Sequence, residues 1–392
     1  MHEIGRQCIP DYIYKQLQLV PAQNASAIVI DLRVIRSNYH RIKAVLAKSN
    51  VNKCLCATVL KANAYGLGAV QVAQTLVSDG CQDFFVADIV EGIALRNVAT
   101  KDSRIYVLCG LLPQTEEAFL EHNLIPTLID KSQVERWYNY AKACDRRLPA
   151  ILHFDTGMTR TGLSWQDALW YANRPDVRSA LDIRYIMSHL ACSDDEHNPN
   201  NLKQLVRFRR FKRIFSDIPA TFSNSKGILH GPEYHFDMVR VGTFLFGLTT
   251  RLDKFKPTLQ PVSIYAKILN TNHAKPGCPV GYGASYVCKR FSRIATIGIG
   301  YADGIPRALG SSNGEGGDVI IAGYRTKIVG RISMDLVTVD VTDIPEDLIY
   351  PGQWSTICSP ELSAEEIAGK IGTISLEFLC SLGNRPYRIY LN

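Results

Sequence analysis

The feature that most constrains the fold is a regular alternation between residues 27 and 247 of short apolar runs with longer amphipathic segments. Continuous apolar strands separated by helices indicate a parallel sheet that is covered on both faces. About eight such units over roughly 220 residues predict a (β/α)8 barrel of the TIM type. The runs occupy residues 54–61, 84–88, 105–109, 125–129, 151–155, 183–189, 220–223 and 238–245.

An open, doubly wound sheet is the alternative, and the first apolar run argues against it. Such a sheet carries a glycine-rich G-x-G-x-x-G turn after its first strand. Here the first run ends in Lys-Ala-Asn-Ala-Tyr-Gly at residues 61–66, which lacks that spacing. A second glycine pair, Gly298 and Gly300, lies between two β-type runs and opens no helix, so it does not indicate a nucleotide site either.

The pattern changes after about residue 256, where Pro and Gly separate short alternating runs. This pattern predicts a mostly antiparallel β domain. Ser363, with Glu366 three residues later, predicts a capping box at the start of a helix. We therefore expect an N-terminal extension at 1–25, a barrel at 26–256 and a C-terminal β domain at 257–392. The main β-type runs are 262–269, 293–299, 319–321 and 337–341.

Composition limits the partners that we expect. The formal net charge is +7, but the densest basic run, residues 207–213, has phenylalanines at helical spacing. We interpret it as the solvated face of a helix and expect no nucleic-acid partner.

The 11 cysteines form no disulfide framework or zinc pattern, which favours a reducing, cytoplasmic location. No apolar stretch of about 20 residues predicts a membrane span, and the N-terminus has no signal-peptide core.

Lys61 is the first candidate for chemistry, because it stands at the predicted carboxyl end of the first barrel strand. That end faces the active site in barrels of this type. A lone lysine is usually a solvated surface residue. The interpretation of Lys61 therefore depends on which segments the barrel brings to the same end. Residues 223–227 and 239–243, at the ends of strands seven and eight, offer backbone N–H groups and hydroxyls that suit a phosphate. A lysine able to form a Schiff base near a phosphate site indicates pyridoxal 5'-phosphate.

The same segments resemble the alanine racemase family over nearly the whole chain, from about residue 27 to residue 390. The motif around Lys61 resembles the lysine signature of that family, and Tyr65 matches its phosphate-binding tyrosine. Several motifs in family order, across both predicted domains, make the resemblance specific. The others lie at 153–160, 187–190, 224–225, 240–242, 281–286, 300–304 and 331–335.

The resemblance implies an isomerase that interconverts L- and D-alanine by two-base proton transfer and supplies D-alanine for peptidoglycan. It implies a homodimer with active sites shared between subunits. Lys61 would act at one face of the substrate Cα, and Tyr282 of the other subunit would act at the opposite face. The further implied cofactor-binding residues are Tyr65, His189, Asn224, Ser225, Arg240, Gly242 and Thr243, and the implied substrate-binding residues are Arg160, Tyr301 and Met334.

Arg240 bears on the chemistry most directly. A guanidinium does not give up its proton in proteins, so a pyridine nitrogen facing it stays unprotonated and the ring is a weaker electron sink. A chain Tyr282–His189–Arg240, implied by the family, places a cation where it favours the phenolate of Tyr282.

The sequence departs from the common family pattern at three places, and in one of them Thr243 and Phe246 replace the usual Ile and Tyr of the strand-eight motif. His153 stands where many relatives have a lysine that becomes carbamylated, and Asn384 stands where many have a tyrosine that binds the phosphate. Either Arg385 compensates for that tyrosine, or the phosphate has one donor fewer.

Other functions stay open at this point. A racemase of wider substrate range, including serine, differs only in the shape of its pocket. A pyridoxal-phosphate barrel decarboxylase would place a carboxylate where Arg240 stands, and a single-barrel carrier of the cofactor would lack the β domain with Tyr282. A metal site is a further alternative that we do not expect, because the candidate ligands fit no zinc spacing: His189, Cys192, Asp194, Asp195 and His197.

Overall fold

A computed structural model describes residues 9–48, 54–248, 258–311 and 316–392 of the chain. Eight parallel strands, β2 to β9, close into a barrel, which confirms the predicted architecture. They are β2 Leu55–Val59, β3 Asp83–Val86, β4 Arg104–Val107, β5 Leu124–Leu128, β6 Leu148–His153, β7 Leu181–Met187, β8 Ala220–Thr221 and β9 Met238–Val241. Their inward and outward faces are both largely buried, as expected for a parallel sheet covered by helices.

Closure of the barrel depends on the pairing of its last strand with its first. β9 runs parallel to β2, with Leu55 opposite Met238 and Thr58 opposite Val241. The carboxyl ends of strands one and eight therefore lie side by side at the same end of the barrel. This end receives the loops that follow all eight strands.

Helices α1 to α10 lie before and between the barrel strands, and several begin at a side-chain cap. Asp88 and Asp130 each accept a hydrogen bond from a backbone N–H in the first turn of the helix they precede. Such caps satisfy N–H groups that have no partner within the helix. The helices are α1 Asp11–Leu17, α2 Leu32–Lys48, α3 Lys61–Tyr65, α4 Ala69–Ser78, α5 Ile89–Arg96, α6 Glu116–Glu121, α7 Lys131–Ala143, α8 Trp165–Ala172, α9 Pro175–Ala180 and α10 Pro199–Ile214.

The basic run at 207–213 lies on α10, as the sequence indicated. Phe208 and Phe211 are buried on its inner face, while Arg209, Arg210 and Arg213 are exposed on the outer face. None of the helices in the described residues combines the length and the apolar character that are needed to cross a bilayer.

The second sheet has eight strands, which are mostly antiparallel. Six of them are hydrogen-bonded in the order β15-β14-β17-β10-β1-β18. The other two extend from β10, because β13 pairs with β10 and β16 pairs with β13. Its strands are β1 Ser26–Asp31, β10 Val262–Ala274, β13 Ser292–Ile297, β14 Asp318–Ile321, β15 Tyr324–Lys327, β16 Val337–Asp340, β17 Trp354–Cys358 and β18 Tyr387–Leu391. A hairpin of β11 Pro279–Val280 and β12 Tyr286–Val287 stands apart, and the domain carries α11 Ala364–Lys370 and α12 Ser375–Cys380.

Strand β1 belongs to this sheet although it precedes the barrel in sequence. It pairs antiparallel with β10 and parallel with β18. All six of its residues are buried, and the barrel closes without it. The division of the chain at residues 25 and 256 stays a prediction, and the second of these positions lies outside the described residues.

At α11 the predicted capping box forms only in part. Ser363 accepts a hydrogen bond from the N–H of Glu366 at 3.1 Å, while the Glu366 carboxylate bonds to Arg325. The Glu366 carboxylate therefore binds Arg325 on β15 and does not accept from the N–H at the start of α11.

Most of the N-terminal extension has a packing role. Ile9, Ile13, Leu17 and Val20 form a small apolar cluster with residues of β1, β10, β17 and β18. Helix α1 therefore covers a face of the second sheet that would otherwise expose apolar side chains to water. Residues 1–8 of the extension lie outside the described residues.

We predict that Leu17→Ala lowers the stability of the protein much more than Leu19→Ala. The Leu17 side chain is 1% exposed, whereas Leu19 is 72% exposed on the same segment. Truncation of a buried leucine costs about 2–5 kcal/mol, and truncation at an exposed position changes stability by less than about 0.5 kcal/mol. Calorimetric thermal midpoints of the two variants test this, and equal midpoints would show that the extension does not contribute to the core.

Candidate active site

Lys61 and Tyr65 lie on an unusual turn at the carboxyl end of β2. Residues 62–65 all have positive φ angles between 51° and 57°, so α3 is a left-handed turn that ends at Gly66. This conformation costs about 1–2 kcal/mol for each residue with a Cβ atom. Strain of this kind persists where the surroundings impose it, and it is concentrated at functional sites. The turn leaves Lys61 exposed at the barrel end and buries Tyr65.

Glu91 on α5 is one of the groups that hold this turn. Its Oε1 accepts a hydrogen bond from the N–H of Ala62 at 2.6 Å, and its Oε2 accepts one from Ala87 at 2.7 Å. One carboxylate thus ties together the loops that follow β2 and β3. Sequence reasoning missed Glu91; its position three residues after the cap Asp88 was the available signal.

Arg240, on β9, is a buried cation at the centre of the site. Its Nη1 donates to Thr221 Oγ1 at 2.8 Å, and its Nη2 donates to the carbonyl oxygens of Ser188 at 2.7 Å and Phe222 at 3.2 Å. Burial lowers the pKa of Arg240 to about 9, so it keeps its charge at neutral pH. Among the described residues, its hydrogen-bond acceptors are all neutral.

His189 follows β7 and contacts Arg240. Arg240 Nη2 lies 3.3 Å from His189 Nδ1. Burial, followed by the charges of Arg240 and Arg160, holds the pKa of His189 well below its usual value. A neutral imidazole has one N–H, and a guanidinium can only donate, so the proton of His189 is on Nε2. Lys61 also lowers this pKa, which places its charge near the same histidine.

His153 ends β6 inside the barrel. Burial, with Arg240 and Arg160 as further causes, lowers the pKa of His153 to about 3. Its imidazole is therefore neutral at pH 7. Arg160 itself is exposed in the loop after β6. That loop is shaped by Asp155, whose Oδ1 accepts hydrogen bonds from three successive backbone N–H groups of residues 157–159.

The loops after β8 and β9 form a compact cradle beside Tyr65. A Cβ atom at Gly242 would lie 2.2 Å from the Tyr65 hydroxyl oxygen, so only glycine allows this approach. Ser225 Oγ accepts hydrogen bonds from the N–H groups of Gly242 at 2.9 Å and Phe244 at 3.4 Å. Thr243 Oγ1 is buried and has no hydrogen-bond partner within the described part of the chain.

Both polar atoms of the Asn224 side chain have partners within the protein, one in the loop after β7 and one in its own loop. Its Nδ2 donates to Ser193 Oγ at 2.9 Å, and its Oδ1 accepts from the N–H of Gly227 at 2.9 Å. It therefore shapes the cradle and leaves the partnerless Thr243 Oγ1, with the Tyr65 hydroxyl beside Gly242, as candidate donors to a phosphate. Burial raises the pKa of Tyr65, which keeps its hydroxyl protonated as a donor.

The residues expected from the β domain are exposed in the single chain. Tyr282, in a short turn between β11 and β12, is 71% exposed. Tyr301 and Met334 are exposed too, and the N–H of Ala302 donates to the Met334 carbonyl oxygen at 3.0 Å. The loops that carry Tyr301 and Met334 are thus in direct contact.

Arg385 holds these two loops together. Its Nε and Nη2 each donate to the buried carboxylate of Asp303 at 2.7 Å, and its Nη1 donates to Asp335 at 2.6 Å. Arg385 is therefore engaged by these two carboxylates. Asn384 beside it is exposed.

The arrangement fits the cofactor expected from the sequence. A cradle with an orphaned buried hydroxyl suits the phosphate, a fixed buried cation suits an unprotonated ring nitrogen, and Lys61 supplies a primary amine at the barrel mouth. Within the described ranges no group of three or more His, Cys, Asp and Glu side chains could hold a metal ion.

Comparison with known proteins matches both parts of the chain to one family. Residues 30–250 match the family described as alanine racemase, N-terminal domain, and residues 261–390 match the alanine racemase C-terminal domain. The chain is 39% identical over 364 residues to a protein of Rickettsia peacockii named alanine racemase, covering 93% of this chain and 98% of that one. It is 40% identical over 368 residues to the alanine racemase of Rhodospirillum rubrum, covering 93% and 95%.

Solved structures give the same result. A crystal structure of alanine racemase from Bartonella henselae, with covalently bound pyridoxal phosphate, superposes with a TM-score of 0.87 at 36% identity, covering 95% of this chain and all of that one. The alanine racemase of Streptomyces lavendulae superposes with a TM-score of 0.86 at 26% identity, covering 95% and 98%. With both family domains matched in order across most of its length, the chain belongs to the alanine racemase family.

Proposed function

We propose that the chain is a pyridoxal-phosphate-dependent alanine racemase, which interconverts L- and D-alanine. The observation that carries this proposal is the meeting, at the β2–β9 closure, of Lys61 and Tyr65 with the buried Arg240 and the cradle at Gly242. An amine, a phosphate cradle and a fixed cation in one place suit this cofactor, and the family supplies the substrate.

The proposal assigns the cofactor to residues on four strand ends. Lys61 would bind it covalently, and Tyr65, Ser225, Gly242 and Thr243 would hold its phosphate, with Asn224 shaping their loop. Arg240 would meet the ring nitrogen, and His189 lies beside Arg240. When bound, the cofactor withdraws electrons from the substrate Cα and so makes its proton easier to remove. The engaged Arg385 supports the view that the phosphate has one donor fewer than in relatives with a tyrosine at the position of Asn384.

Proton transfer at the two faces of Cα is assigned to Lys61 and Tyr282. A phenol with a pKa of about 10 is a weak base at neutral pH, so the Tyr282 oxygen needs a neighbouring cation. His189, with its Nε2–H directed away from Arg240, supports a relay that connects the phenol to the guanidinium. Arg160 and the backbone N–H of Met334 bind the substrate carboxylate, and Tyr301 narrows the entrance in favour of small substrates.

We assign the enzyme to a homodimer in which each active site takes Tyr282, Tyr301 and Met334 from the other subunit. The exposure of all three side chains in a single chain supports this assignment. We further propose a cytoplasmic location and a role in supplying D-alanine for peptidoglycan. The ten cysteines in the described residues are all free, which agrees with a reducing compartment.

A racemase of wider range, including serine, is the nearest alternative. Racemisation assays over a panel of L-amino acids, with detection of each D-product, distinguish the two, and equal rates with alanine and serine would reject alanine preference. A decarboxylase is disfavoured because Arg240, and not a carboxylate, occupies the position assigned to the ring nitrogen.

We predict that Lys61→Ala removes the covalently bound cofactor and lowers turnover by more than about 100-fold, since it deletes both the point of attachment and a proton-transfer group. The visible absorbance of the holoenzyme and borohydride reduction followed by peptide mapping measure the attachment. Lys203→Ala, an exposed lysine on α10, is the matched control. Cofactor reduced onto another lysine in the wild-type enzyme would refute the assignment.

We predict that Lys61→Ala and Tyr282→Ala, each inactive alone, complement one another when their subunits are mixed. Random reassortment makes half of the dimers mixed, and each mixed dimer has one intact site of two, so activity returns to roughly one quarter of the wild-type value. Subunit exchange is verified independently with differently tagged chains. Proven exchange without recovered activity would mean that the site is not shared.

His153 leads to a prediction about pH. Because its pKa is about 3 in the folded protein and about 6.5 when unfolded, the unfolded state binds the extra proton between these values. Its contribution to stability is therefore complete above pH 6.5 and is lost as the pH falls, by about 2 kcal/mol at pH 5. His153→Gln should reduce the fall in thermal midpoint between pH 7 and pH 5, with His189 and His235, whose pKa values burial also lowers, contributing to the remainder. An unchanged fall would show that His153 is not neutral.

The same residue excludes a lysine carbamate at this position of β6, because a stable carbamate needs a primary amine. Activity should therefore be independent of bicarbonate. Loss of activity on rigorous removal of carbon dioxide, with recovery on adding bicarbonate, would contradict this.

A further inference from the structure

Gln204 on α10 makes a full set of hydrogen bonds behind the active site. The residue is 1% exposed. Its Nε2 donates to the carbonyl oxygen of His189 at 2.8 Å and to Thr156 Oγ1 at 3.1 Å, and its Oε1 accepts from the N–H of Ala191 at 2.9 Å. Both hydrogens and the oxygen of one amide are thus used, and all of them bind the loops that follow β6 and β7.

These bonds close a ring that includes Arg240. Thr156 Oγ1 lies 2.8 Å from Ser188 Oγ. The carbonyl oxygen of Ser188 accepts from Arg240 Nη2 at 2.7 Å, and the same nitrogen lies 3.3 Å from His189 Nδ1. The ring therefore runs from Gln204 through Thr156, Ser188, Arg240 and His189 and returns to Gln204 at the His189 carbonyl.

The ring fixes a segment that has no regular secondary structure. Residues 188–191 follow the last residue of β7 and belong to no helix or strand. Arg240 holds this segment from inside the barrel through Ser188, and Gln204 holds it from the helix side through His189 and Ala191. Held on both sides, the backbone leaves the His189 ring little freedom to move away from the guanidinium. In a buried network each hydrogen bond also strengthens its neighbours.

We propose that Gln204 is a positioning residue, which fixes His189 against Arg240 and thereby sets the electrostatic environment of the site. The inference rests on the function proposed above for Arg240 and His189. Gln204 itself touches neither cofactor nor substrate. It acts by determining where the imidazole and the guanidinium stand, which matters because small displacements of catalytic groups have large effects on rate.

A simpler role would be to satisfy the buried backbone of the loop and so to stabilise the fold. The two roles differ in what they alter. A stabilising role changes the thermal midpoint alone, whereas a positioning role also changes kcat, its pH profile and the visible spectrum of the bound cofactor.

The test uses Gln204→Met, which preserves the approximate volume and removes all of the hydrogen bonds, and Gln204→Glu, which retains an acceptor for Ala191 and removes both donors. Lys203→Met, at the exposed neighbouring position, is the control. We expect kcat to fall roughly 10- to 100-fold in both Gln204 variants, with a smaller change in KM for alanine. The absorbance band of the holoenzyme and its pH dependence should shift in the same variants and stay unchanged in the control.

Thr156→Val opens the ring at a second point and serves where Gln204→Met does not fold. A smaller change in the same direction supports the proposal. Variants with a lowered thermal midpoint but wild-type kcat, pH profile and absorbance would overturn it.

Arg240→Met separates this inference from the function on which it rests. If that variant shifts the absorbance and the Gln204 variants do not, the inference alone fails. If Arg240→Met leaves the absorbance unchanged, the role proposed for Arg240 fails, and the inference fails with it.

Discussion

The active site depends on one constraint, the parallel pairing of β9 with β2. About 180 residues separate Lys61 from Arg240 along the chain, and only closure of the barrel brings their strands together. The register of that pairing places the turn after β2 beside the loop after β9. Gly242 completes the arrangement, because the absence of a Cβ atom lets the Tyr65 hydroxyl approach the backbone. A shift in this register would separate the amine from the cradle even if every side chain were kept.

The electrostatics of the site follow from a single buried cation. Arg240 is surrounded by neutral oxygens and by His189, so its charge is stabilised by hydrogen bonds, with no carboxylate partner in the part of the chain that the structure describes. Such a charge is costly to bury without these acceptors. Its field, added to desolvation, keeps His153 and His189 neutral. A site with this balance favours anionic groups such as a phosphate or a carboxylate, and it gives His189 a defined proton position.

The sequence could predict the features that depend on periodicity and on residue type. The eight apolar runs became the eight barrel strands, and the lysine and arginine at the strand ends were evident from their positions. The left-handed turn was not predictable, because alanine disfavours that conformation and tertiary contacts impose it. Glu91 and Gln204 were missed for a related reason: their partners are mostly backbone groups of loops, which leave no pattern in the sequence. Arg385 could be placed near the site from its motif, but only the structure shows that Asp303 and Asp335 engage it.

The position of β1 has a consequence for how the chain is made. β1 leaves the ribosome before any strand of the barrel, yet both of its neighbours in the sheet, β10 and β18, come after the barrel, and β18 is the last strand of the chain. Topologically, the barrel is an insertion within the β domain. The barrel can close during synthesis. In contrast, β1 cannot pair until more than half of the chain has been made, because β10 and β18 follow the barrel. Contacts between residues so far apart in sequence form slowly. The two domains are therefore not separable pieces joined by a linker, and a cut between them would leave the second without one of its central strands.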